Sequence, residues 1–155
     1  MSVPTAFVMP PLPAGRWLDD AGCEIPFGRR WGMEGPPEDA YSRVTHPERY
    51  APLHRVADAL VAHLLAEYDC VAEEDATEAH ETRAVRMRPA GGPAFRMAWT
   101  SFPGVCAALG GDVDEAAPLC GCDACDEALE PAAAQFCDRV LAFVARGSAR
   151  WPTRR

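Results

Sequence analysis

Apolar positions along the chain change period, and each period predicts an element. Leu53, Val56, Ala57, Leu60, Val61, Leu64, Leu65 and Tyr68 recur every three or four residues, which puts a wide apolar stripe on a helix over about 52–68. Pro52 suits its first position, where a missing N–H costs nothing. His54 and His63 fall on the borders of the stripe, as packing residues with a wet edge. The period then becomes two. In AVRMR, Val85 and Met87 alternate with Arg86 and Arg88; in FRMAWT, Phe95, Met97 and Trp99 alternate with Arg96, Ala98 and Thr100. PAGGP between them is a turn by composition, so the two runs predict a hairpin. Pro103-Gly104 and Gly110-Gly111 predict further turns into VCAAL and DVDEA, and a shorter strand around Cys70 to Glu74 precedes the hairpin.

The sum is an antiparallel meander of four to five strands with one apolar face, which needs helices to cover it. The second helix carries Leu129, Ala133, Phe136, Val140, Phe143 and Val144 and spans about 124–146, with Gly147 as its stop. Pro131 leaves two readings of its start: at Pro131 itself, or near Asp123 with a kink at the proline. The fold class is therefore α+β in a single domain over 41–147. A Pro- and Gly-rich arm over 1–40 precedes it, held where Trp17, Ile25, Phe27 and Trp31 can pack. A basic tail over 148–155 follows, expected to be loose or to fold back on the acidic stretch from Glu67 to Glu81.

Charge narrows the function classes. The net charge of −8 argues against a nucleic-acid binder, whose footprint would be a basic surface. All 15 basic residues are arginine, so Schiff-base chemistry and a phosphate-loop lysine are excluded. No segment reaches the length of a membrane span, and the first residues lack a charged leader with an apolar run. Seven cysteines without an export signal point to reduced thiols and a cytoplasmic location.

The candidate chemistry lies in PLCGCDACDE. Cys120, Cys122 and Cys125 offer three soft ligands within six residues, and Gly121 lets the backbone turn tightly enough for the sulfurs to converge. That suits zinc, with copper(I) or iron–sulfur as alternatives. A fourth ligand is open among His46, His54, His80, Cys23, Cys106, Asp126 and water. Cys137, about 18 Å further along a continuous helix at ~1.5 Å per residue, needs a chain break at Pro131. A redox pair at Cys122 and Cys125 is the competing reading, opposed by Asp123, Asp126, Glu127 and Glu130, whose charges would raise a neighbouring thiol. Cys70, Cys106 and Cys137 read as small core residues. Arg86, Arg88 and Arg96 form a strip on the open sheet face. It would serve an anion, or pair with Asp112, Asp114 or Glu115 across strands.

Three stretches, RRWGMEGPPEDAYSRVTHPERYAPLH (29–54), TSFPGV (100–105) and CGCDACDE (120–127), together resemble an uncharacterised actinobacterial family, a domain of unknown function. The family's cysteine motif maps onto Cys120, Cys122 and Cys125, with acidic followers at Asp123, Asp126 and Glu127; Cys23, Cys106 and Pro131 lie outside the pattern. The resemblance implies an actinobacterial source and no activity, substrate or cofactor. The reading of the residues is a small non-enzymatic binding or accessory protein with a zinc site at Cys120, Cys122 and Cys125, and a protein as its partner. The alternatives are a zinc or copper carrier or sensor, and a thiol-dependent redox enzyme.

Overall fold

The computed structural model describes residues 3–110, 114–146 and 150–155. Strands β1 (Cys70–Glu74), β2 (Glu81–Pro89), β3 (Phe95–Thr100), β4 (Val105–Ala108) and β5 (Asp114–Ala117) form one open antiparallel sheet in chain order. Helices α1 (Pro52–Glu67) and α2 (Leu129–Ala145) cover one face of it. This is the single α+β meander that the periodicity predicts, with five strands.

The alternation in β2 and β3 sets the register. Val85 faces Met97 and Met87 faces Phe95. All four are buried with Trp99 against Leu60, Leu64, Phe136 and Val140. Slipping the pairing by one residue would turn this whole set towards water. Trp99 also donates its indole N–H to the His54 carbonyl at 3.2 Å, which ties the sheet to α1.

α2 starts at Leu129, neither at Pro131 nor near Asp123. Pro131 is its third residue, where the backbone N–H has no partner within a helix, so the proline neither breaks nor kinks it. Residues 124–128 are therefore not helical, and Asp126 takes a left-handed conformation at φ 47°. Gly111, Asp112, Val113 and Gly147, invoked for a turn, a strand and a helix stop, lie outside the described residues.

Residues 150–155 are not a loose tail. They return along the start of β1, where Arg154 donates its backbone N–H to the Glu67 carbonyl and Asp69 donates to Pro152, each at 2.8 Å. Trp151 is 1% exposed, stacks on Phe95 with ring centroids 5.5 Å apart, and donates its indole N–H to the Pro93 carbonyl at 2.9 Å.

The arginine strip on the other sheet face is neutralised from within the chain, by partners other than those expected. Arg88 pairs with Glu73 at 2.6 Å and Arg86 with Asp75 at 3.2 Å. Arg96 pairs with Asp75 and Glu81 and donates to the Ala76 carbonyl, which draws the β1–β2 connection against the sheet. Glu115 instead meets Arg139 of α2. The acidic stretch and the arginines of β2 and β3 thus lie within one hairpin's reach, and each arginine of the strip already has a carboxylate in place of an outside anion.

Glu81 is 3% exposed at its side chain, and the hydrogen bonds from Arg96 hold its pKa down at about 2. A carboxylate depressed on folding contributes stability above its unfolded pKa, and that contribution is lost as pH falls through the folded value. The melting temperature should therefore drop between about pH 4.5 and about pH 2, and Glu81→Gln should flatten that drop; equal slopes for both proteins would show that the clamp contributes nothing.

Candidate metal centre

The chain leaves β5 at Ala117, passes through Pro118 and Leu119, and lays the three cysteines in a short loop before α2. The sulfurs of Cys120, Cys122 and Cys125 lie within 4.8 Å of one another, with Cys120 and Cys122 3.3 Å apart. Cys120 and Cys125 are exposed and Cys122 is half-buried. Three thiols at this spacing hydrogen-bond to one another. A hydrogen bond from the Cys125 backbone, joined by those from the neighbouring thiols, holds Cys122 below the ordinary thiol range. The bonds to Cys122 and Cys120 push the Cys125 thiol up to about 12. A divalent ion would replace those protons as the ligands ionise.

The acidic followers do something other than face the sulfurs. Asp123, 2% exposed at its side chain, accepts from the Thr45 backbone at 2.8 Å, the Thr45 hydroxyl at 2.6 Å and the Arg43 guanidinium at 2.9 Å, with Arg30 at 3.4 Å. Burial pushes this carboxyl up; the bonds from Thr45 and Arg43 and the charge of Arg30 outweigh that, and its pKa is lowered overall. The carboxylate of Asp126, a residue with left-handed backbone, is held by the backbone N–H and Nε of Arg30 at 2.8 and 2.6 Å. Glu127 accepts from the backbone N–H groups of Leu119 and Cys120, and its own carbonyl accepts from Arg49 and Tyr50. The Asp123 carbonyl takes the Trp31 indole N–H at 2.8 Å. These carboxylates are therefore spent on fixing the loop. At Cys122 the hydrogen bonds from the Cys125 backbone and the neighbouring thiols outweigh the opposition expected of the acids.

The proposed fourth ligands are sorted by the same geometry. Both ring nitrogens of His46 are engaged, by Glu48 and the Leu18 carbonyl. His54 Nε2 meets the carbonyls of Thr100 and Gly104. Asp126 is held by Arg30, and Cys137 is 2% exposed in the core. Cys106 and His80 share a cavity of about 310 Å³ with Cys122, but neither joins the cluster; His80 lies instead with Glu78 and Glu81. Cys23 is exposed and outside the cluster as well. Among the described residues, no fourth protein ligand completes the three sulfurs.

The residues that hold the loop carry no functional signal in the sequence. Arg30, Trp31, Arg43, Thr45, Arg49 and Tyr50 reach it across at least 77 positions. Their one trace is that all six lie in the 29–54 stretch that carries the family resemblance, which does not say what they touch. The third stretch arrives too. Gly121 has no side chain because the Phe102 ring occupies that space, and Gly104 lies where a Cβ would stand 2.7 Å from the Ala117 carbonyl oxygen. The segments 29–54, 100–105 and 120–127 are thus three walls of one contact.

These features define an α+β protein with a pre-shaped three-cysteine loop. Residues 13–155 match a family of unknown function (DUF6226), and the chain belongs to it. No curated protein and no solved structure is recognisably similar to it. No helix among the described residues is long and apolar enough to cross a membrane.

Proposed function

We propose that this chain is a non-enzymatic accessory protein that holds one zinc ion on Cys120, Cys122 and Cys125 and offers the ion's fourth place to a protein partner. The observation that carries the reading is the convergence of three sulfurs within 4.8 Å, with the neighbouring carboxylates bound elsewhere. Zinc takes four ligands in a closed structural site and keeps one place open otherwise. Apolar side chains beside the loop favour a protein as the outside donor: Leu119, next to Cys120, is 62% exposed, and Phe102, packed on Gly121, is 36% exposed. The seven free thiols suit a reducing compartment, and we assign the protein to the cytoplasm.

Cobalt(II) substitution tests the coordination. Thiolate-to-cobalt charge-transfer absorption should scale with three sulfurs, and added imidazole should shift the ligand-field bands by entering the fourth place. A spectrum of four sulfurs that imidazole leaves unchanged would contradict the open site. The exposure of Cys120 and Cys125 favours a second reading, a carrier or sensor that exchanges its metal. Rapid loss of zinc to a chelator under native conditions would select that reading over the accessory one.

Because the loop is held by side-chain bonds that involve no metal, apo protein should keep its fold, unlike a zinc finger. Cys122→Ser should lose zinc, lower the melting temperature by a few degrees and raise hydrogen exchange over 118–131, while β2 and β3 stay protected. Global unfolding of this variant would show that the metal carries the fold.

A further inference from the structure

We infer that a second cavity, separate from the cysteine loop, binds a flat aromatic carboxylate. The cavity is about 520 Å³ and lies between the N-terminal arm and the starts of both helices. Its size falls within the roughly 300–1,000 Å³ of small-molecule sites. Trp17, Ile25 and Phe27 supply apolar walls suited to a ring system, while Arg29 and Arg49 supply charge.

The two arginines are what point to an anion. Arg49 is 5% exposed, its guanidinium lies between the rings of Phe27 and Tyr50 at 3.9 and 4.1 Å, and its Nε has no acceptor. Its other nitrogens reach a carbonyl and a phenol, and among the described residues no carboxylate pairs with it directly; Asp126 and Asp123 act on it only at a distance. Arg29 makes no ion pair there either. The acids that border the same space are already matched, Glu24 with Arg16 and Glu48 with His46. The lining carries two acids and two arginines, and the arginines are the members without an ion pair.

Helix α2 adds to this. Pro52 of α1 and Leu129 of α2 both border the cavity, and neither helix has a side-chain cap at its start. The N-terminal end of α2 favours a negative group there. By contrast, α1 continues from the turn at 47–50, where the Ala51 N–H already bonds to the Glu48 carbonyl and the His54 N–H to that of Ala51. A buried arginine without a direct counter-charge is costly by itself, and a bound carboxylate offsets that cost. A polymeric anion does not suit a cavity of this size on a chain of net charge −8.

The test uses the full ¹⁵N-labelled chain titrated with 2-naphthoate and, separately, with the neutral 2-naphthamide. The readout is the Trp17 indole N–H resonance, identified by its loss in Trp17→Phe. A saturable shift with a dissociation constant below about 1 mM is expected for naphthoate, at least about tenfold weaker for naphthamide. Arg29→Gln should weaken naphthoate by about tenfold while leaving naphthamide unchanged. Arg29 is the informative position, since Arg49 also holds the Glu127 carbonyl and its loss would disturb the fold. The inference is overturned by the absence of a saturable Trp17 shift, by equal affinity for acid and amide, or by an Arg29→Gln protein that binds naphthoate like wild type.

Discussion

Replacing Asp123 with alanine is expected to destabilise the domain by about 3–5 kcal/mol, the range for removing one partner of a buried charge pair. Its carboxylate is 2% exposed at the side chain and gathers Thr45, Arg43 and Arg30. Removal leaves Arg30, 9% exposed, with Asp126 as its one remaining carboxylate, and strands the Thr45 backbone N–H. Asp123→Asn keeps the shape without the charge and should fall between wild type and alanine. Because Asp123 sits between Cys122 and Cys125, the alanine variant should also weaken metal binding, although no ligand has been changed. Denaturant unfolding and a zinc competition titration check both parts. A loss of less than about 1 kcal/mol with unchanged zinc affinity would show that the loop does not depend on this lacing.

Trp151→Ala should cost about 3–5 kcal/mol, the range for removing a large aromatic from a packed core. The side chain is 1% exposed, packs on Phe95 and Tyr68, and its indole N–H bonds to the Pro93 carbonyl. The residue lies in a segment that composition marks as a basic tail, so the expected effect separates the two views of it. Denaturant unfolding that places the variant within about 1 kcal/mol of wild type would mean that the segment contributes little to the core.

These two residues also mark how far the chain can be read without its fold. Elements with local period are legible: the α1 stripe from Leu53 to Leu64 and the alternation of Val85, Met87, Phe95, Met97 and Trp99 both name their buried faces. Packing on those faces decides the element, so a short window contains the answer. Trp151 is not legible because no periodic neighbours surround it, and its burial depends on Phe95 and Tyr68, distant in sequence. The start of α2 escapes a local reading for a similar reason. Asp126 has a left-handed backbone there and its carboxylate is held by Arg30, 96 positions away, a contact that no local propensity contains.

The cysteine cluster is legible as spacing, since Gly121 and short loops suffice to bring the sulfurs together. The role of its acids is not. Near a thiol, Asp123 and Asp126 read as either ligands or opponents of a thiolate, and only the fold turns them towards Arg30 and Arg43. The arginines of β2 and β3 give the converse case. Their need for acidic partners is evident from the alternation, whereas the choice of Glu73 on β1, Asp75 in the β1–β2 connection and Glu81 at the start of β2 depends on how these segments lie beside one another in the fold.

Metal analysis of the full chain, purified without chelator and with thiols reduced, decides whether the three cysteines hold zinc. Elemental analysis and native mass spectrometry should find about one zinc per chain in wild type and none in Cys122→Ser, with both proteins folded. Wild-type protein that is metal-free, and stays so after exposure to zinc, would rule out the zinc site and leave Cys120, Cys122 and Cys125 as loop residues without a metal.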